Sequence, residues 1–177
     1  MKRLFLYGSL VVLSSSLLAL NLGKPVESGY KDYKKLAADY AKFAFNNDTA
    51  SMMRFTDKDM WAKVIECTKQ KSGKEGAMDD LFSSNYRRFF EAVYAVPVAV
   101  LERNFKNSGI TYCQVDSVVA DKDMPDSRPC SDMPFTTLHI FVNYNKVAFE
   151  TRVCITQFKD KWYILNIMPD LYPHKAW

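Results

Sequence analysis

Residues 135–168 read FTTLHIFVNYNKVAFETRVCITQFKDKWYILNIM, and this stretch decides the fold. Apolar and polar side chains alternate along it, the period of a strand with one covered face. The alternation is interrupted twice, around Tyr144-Asn145 and Lys159-Asp160, and breaks this short leave room only for tight hairpins. The pattern predicts consecutive strands at 135–143, 146–158 and 161–168, zipped as an antiparallel meander. A two-residue turn at Tyr144-Asn145 sets Asn143 against Lys146, Phe141 against Ala148, His139 against Glu150, Thr137 against Arg152 and Phe135 against Cys154. The opposite face then gathers Leu138, Ile140 and Val142 with Val147, Phe149, Val153 and Ile155. That apolar wall has to be covered by something.

The cover lies upstream. Tyr33, Leu36, Ala37, Tyr40, Ala41 and Ala44 recur at three- and four-residue steps, predicting an amphipathic helix over 29–45. Asp48 is placed to cap a short second helix ending near Phe55. Thr56 to Asp59 reads as a capping box, with Asp in place of Glu, for a helix that runs out near Ser72-Gly73. Lys71-Ser72-Gly73-Lys74-Glu75-Gly76 lacks the residue order of a phosphate loop and is a polar turn. Residues 78–95 carry Leu81, Phe82, Tyr86, Phe89, Phe90, Val93 and Tyr94 at helical spacing. Pro97 is tolerated in the first turn of a further helix, which Asn107-Ser108-Gly109 stops. A first strand over 110–119 and a polar loop over 120–134 link the helices to the meander. The fold class expected is α+β, with N-terminal helices packed on a curved antiparallel sheet.

The chain starts with Met1-Lys2-Arg3 and an uncharged apolar run from Leu4 to Leu20, the anatomy of an export signal. The division expected is 1–23 as signal peptide or N-terminal membrane anchor and 24–177 as a single exported domain. Neither Asn21-Leu22-Gly23 nor Leu17-Leu18-Ala19 is a good cleavage site, so cleavage and retention both stay open. In either case the positive end stays inside and the domain goes out, periplasmic, secreted, or held at the inner membrane through residues 4–22. Beyond Lys2 and Arg3 there remain 22 basic and 20 acidic side chains, a balance of +2. An excess this small makes no electrostatic footprint for nucleic acid, which is not expected as a partner. The lysines of the first helix (Lys31, Lys34, Lys35, Lys42) are interleaved with Asp32 and Asp39.

All four cysteines, Cys67, Cys113, Cys130 and Cys154, lie in the exported part, where disulfides form. The register puts Cys154 level with Phe135, five residues after Cys130, and places Cys113 toward the other end of the sheet. A Cys113–Cys154 bridge would exceed the reach of about 7 Å between Cα atoms, so the pairs expected are Cys130–Cys154 and Cys67–Cys113. Buried free thiols are the alternative. No close C-x-x-C spacing exists, and His139 and His174 are the only histidines, so neither a metal site nor a cofactor is expected.

Helices followed by a meander, with the long strand, charged turn and Trp-containing last strand of residues 146–168 ending in FKDKWYILNIMPD, resemble the nuclear transport factor 2-like superfamily. The resemblance covers element order over most of the exported chain. The early short hairpin that many members carry is not evident here. It implies a cone-shaped fold with a pocket between sheet and helices, and it implies no function, because this fold hosts enzymes, binders and assembly modules alike.

Enzymes of that superfamily place an Asp or His in the cone. The one candidate constellation here is His139 opposite Glu150, with Arg152 beside them and Asp116 on the adjacent strand. Glu150 would orient the imidazole and raise its pKa, making it a proton shuttle. The plainer account is a cross-strand charged pair on a solvent face, worth about 0.2–1 kcal/mol. His174, beside Pro173, reads as a mobile tail residue. Three functions follow. One is a non-catalytic exported domain binding a small apolar ligand or an envelope protein. A second is a membrane-tethered assembly module of a secretion or envelope complex. The third is a small SnoaL-like acid–base enzyme using His139. The sequence leaves a dimer open.

Overall fold

The computed structural model describes residues 28–174, apart from 75, 123–127 and 146. The expected leader, its boundary at residue 23 and the apolar run 4–22 lie outside the described residues. Among the described residues, no helix is long and apolar enough to cross a membrane.

Helices come first and strands second, as the change of period requires. Helix α1 spans Tyr33–Phe45, with the Asp32 carboxylate accepting from the Lys34 backbone N–H at its start. It begins four residues later than its periodicity suggests because Gly29 and Tyr30 are committed elsewhere. Tyr30 makes a β-bridge to Trp162, and Gly29 adopts φ +78° with the Tyr163 ring so close that a Cβ would lie 2.5 Å from it. Only glycine satisfies both demands. The short second helix is a 3₁₀ turn, Ser51–Phe55, whose Ser51 N–H is capped by Asp48 as expected. Helix α2 covers Lys58–Ser72 and stops at Gly73 in the left-handed region. Its cap is Asp57, accepting from Met60 N–H at 2.9 Å, rather than Thr56, whose hydroxyl is buried instead.

The aromatic stripe over 78–95 is interrupted where none was expected. Helix α3, Ala77–Ser84, ends at Asn85, whose side chain caps α4, Tyr86–Phe90. A π-helical turn, Glu91–Ala95, leads into α5, Val96–Asn107. Proline at 97 explains that turn. It has no N–H and its ring crowds the preceding turn, so the helix widens, and Val96 N–H reaches Glu91 carbonyl five residues back.

The four strands are β1 (Val115–Ala120), β2 (Phe135–Tyr144), β3 (Val147–Phe158) and β4 (Lys161–His174). They form one antiparallel sheet in the order β1-β2-β3-β4, the expected meander. Lys159 and Asp160 both have positive φ and make a two-residue turn between Phe158 and Lys161. The β2–β3 turn sits later than predicted: Tyr144 still belongs to the strand and pairs with Val147, and Asn145 follows it with positive φ. Asparagine accepts the left-handed first turn position (φ 50°), while Tyr144 extends the strand. His139 therefore lies opposite Arg152, and Glu150 opposite Phe141. The slip moves each partner by two residues, so every side chain keeps its face.

Strand β1 is shorter than predicted and bulged between Val115 and Ser117, while β4 runs past Met168 to His174. The backbone of His174 pairs with Ala148, so it closes a strand rather than belonging to a tail. Two irregularities, at Leu165 and across Pro169–Leu171, bend β4 and curve the sheet. Leu138, Ile140, Val153 and Ile155 are fully buried in one core with Leu36, Tyr40, Phe55, Tyr94, Leu101 and Phe105 from the helices. Tyr94 fixes the register between layers: its hydroxyl donates to Ile164 carbonyl at 2.6 Å and accepts from Trp61 Nε1 at 2.8 Å.

Candidate functional site

The polar face of the meander gathers the residues singled out in the sequence, with one substitution. His139 Nδ1 meets Glu150 Oε1 at 2.6 Å, and its Nε2 meets Asp121 Oδ1 at 3.1 Å. Arg152 Nε donates to the same Glu150 oxygen and its guanidinium stacks 5.0 Å over the Tyr172 ring. Asp116 is not part of the group; it sits exposed at the β1 bulge. The acid that reaches the imidazole is Asp121, just past β1, where Val119 already lies opposite His139. Extending the β1 pairing by two residues points to it.

This group is not the solvated pair expected on an open face. The Glu150 side chain is only 3% exposed. It is flanked across the strands by Phe141 and Tyr172, directly opposite it on β2 and β4. Burial works against an imidazolium, but the hydrogen bonds and charges of Glu150 and Asp121 together outweigh it and hold the His139 pKa above its ordinary value. Geometry says the same. A neutral imidazole has one N–H and one lone pair, whereas carboxylates only accept, so both contacts together require the charged ring. Neither ring nitrogen is left for a substrate proton.

A groove opens where the start of α1 meets the ends of β1 and the starts of β2 and β4. Its volume is about 210 Å³. Tyr33, Phe135 and Trp162 wall it, with Pro134 and Ala120 adding apolar surface. The Tyr33 and Trp162 rings meet edge to face, centroids 6.1 Å apart. Asp121 stands at this groove as well as beside His139. Its backbone is clamped on both sides, by its own N–H to Thr137 carbonyl and by the Thr136 hydroxyl to its carbonyl. Sequence reading missed the groove because four separate elements build it.

The cysteine pairing differs from expectation. Cys67 on α2 is bonded to Cys130, and Cys113 and Cys154 are free. Cys154 points to the polar face, its sulfur 3.9 Å from the Thr137 hydroxyl. Cys130, in contrast, turns under the helices, 1% exposed. Its loop is drawn onto α2 by the Lys63–Asp132 ion pair and by Lys71 Nζ donating to Arg128 carbonyl. Nearness along the strand misled, because it ignored which side of the sheet the loop crosses. Burial pushes the Cys113 thiol up to about 11 and also raises Cys154, so neither is a ready thiolate nucleophile.

Inside the core, the Tyr40 and Thr151 side chains are fully buried. Among the described residues, no group of three or more His, Cys, Asp or Glu is placed to hold a metal ion. No protein-family model, no curated protein and no solved structure matches the chain.

Proposed function

We propose that the chain is a non-catalytic exported domain that binds a small ligand in the groove between Tyr33 and Trp162. The observation that carries this reading is the groove itself: aromatic and apolar walls, one carboxylate, and a position at the sheet end where four elements converge. Ligand sites combine an apolar lining with a few placed polar groups in this manner. At about 210 Å³ it is smaller than the roughly 300 Å³ at which drug-sized sites begin, which suits a compact molecule or a single head group. The Cys67–Cys130 disulfide agrees with an oxidising location outside the cytoplasm. The His139 constellation favours binding over acid–base catalysis, since both ring nitrogens are occupied by carboxylates.

The test is a small-molecule fragment screen read by the indole N–H resonance of Trp162. Saturable shifts confined to Trp162, Tyr33 and their neighbours are expected for at least one chemical class, and they disappear in Trp162→Ala. Shifts elsewhere on the fold, with this groove silent throughout, refute the assignment.

A further inference from the structure

We propose that the ligand of this groove carries a positively charged ammonium head, received by the aromatic walls and by the Asp121 carboxylate. The inference rests on the groove being the binding site and adds the ligand's charge. Asp121 bears the single formal charge among the lining residues, and that charge is negative. Its side chain remains 44% exposed although His139 Nε2 engages one oxygen, and Arg152, whose guanidinium is held by Glu150, acts on it through charge alone. The walls supply the second element. A tryptophan face is the strongest aromatic receptor for a cation, and the Tyr33 ring stands nearly perpendicular beside Trp162 at the groove. A purely apolar ligand would leave the carboxylate facing hydrocarbon, and an anionic one would be repelled. A compact ammonium meets both the rings and the acid, and the volume of about 210 Å³ limits what can accompany it.

The pair of probes is choline and 3,3-dimethyl-1-butanol, which share a shape and differ in charge. Each is titrated into the protein while the Trp162 indole resonance is followed. Choline is expected to bind roughly tenfold or more tightly than the neutral isostere, the difference a cation–π contact with a nearby acid supplies. In Asp121→Asn, which alters an exposed side chain and leaves the core intact, choline binding is expected to fall toward that of the isostere, which itself does not change. Equal binding of both probes overturns the charge assignment and leaves the groove as a site for neutral ligands. Binding of neither overturns the charge assignment and counts against the groove as well. Unchanged choline affinity in Asp121→Asn removes the carboxylate from the recognition.

Discussion

Breaking the bond between Cys67 and Cys130 should destabilise this domain by an amount that follows from chain length. The two residues are 63 apart. Closing a loop of that size in the unfolded chain removes entropy worth about 4 kcal/mol at room temperature. Domains of this length lose about 2–4 °C in melting temperature per kcal/mol, so the expected fall is about 8–16 °C. The measurement is thermal and urea unfolding of the oxidised protein, the reduced protein and Cys67→Ala/Cys130→Ala, followed by circular dichroism. The reduced protein and the double variant should unfold together, and reductant should not affect the variant. A difference below about 1 kcal/mol between oxidised and reduced protein would refute the loop-entropy reasoning. Peptide mapping that found Cys67 or Cys130 bonded to a different cysteine would refute the pairing itself.

Two further outcomes can be checked on the same preparations. Tyr94→Phe leaves Trp61 Nε1 and Ile164 carbonyl buried without their partner, each at about 1–3 kcal/mol, so a loss of about 2–6 kcal/mol is expected in urea unfolding; a loss under about 0.5 kcal/mol contradicts it. The His139 ring, one of two histidines in the chain, should titrate by proton NMR above 6.5, and Glu150→Gln should lower that value more than Asp121→Asn. The groups facing it are Asp121 beyond β1, Glu150 and Arg152 on β3, and Tyr172 on β4 acting through Arg152. Because the folded value lies above the unfolded one, the stabilisation is fully present below about pH 6.5 and is lost as pH rises through the folded value. On deprotonation one carboxylate must let go. The 3.1 Å contact of half-exposed Asp121 is the weaker, so choline affinity should rise with pH over the same range. A ring titrating at or below 6.5 removes the basis for all of this.

The architecture was largely legible, and particular residues show why. Alternation through Leu138, Ile140 and Val142 and again through Val153 and Ile155 identifies both strands and their buried face, and a register error of two residues does not disturb it. Asn145 carries the signal that would have placed the turn correctly, since its side chain tolerates positive φ where tyrosine does not. The break at Asn85 and the π-turn before Pro97 were hidden inside a continuous aromatic period, because periodicity records which side is buried and is silent on hydrogen-bond spacing. The site was half legible. His139, Glu150 and Arg152 share a face by strand parity alone. The burial of Glu150 depends on Tyr172, which lies beyond the predicted end of the last strand. The groove joins residues 33, 121, 135 and 162, and nothing local marks them as neighbours.

The outer margin of β4 has a consequence for self-association. An open strand margin is a template on which other chains can grow. Near its start this margin is already occupied, because Tyr30 exchanges backbone hydrogen bonds with Trp162. Further along, Pro169 and Pro173 have no N–H to offer an incoming strand. Filament growth from that side is thus blocked at one end by the domain's own chain and at the other by imino acids. The opposite margin of the sheet is the short β1, Val115–Ala120, whose bulge between Val115 and Ser117 interrupts the regular pairing edge near its start.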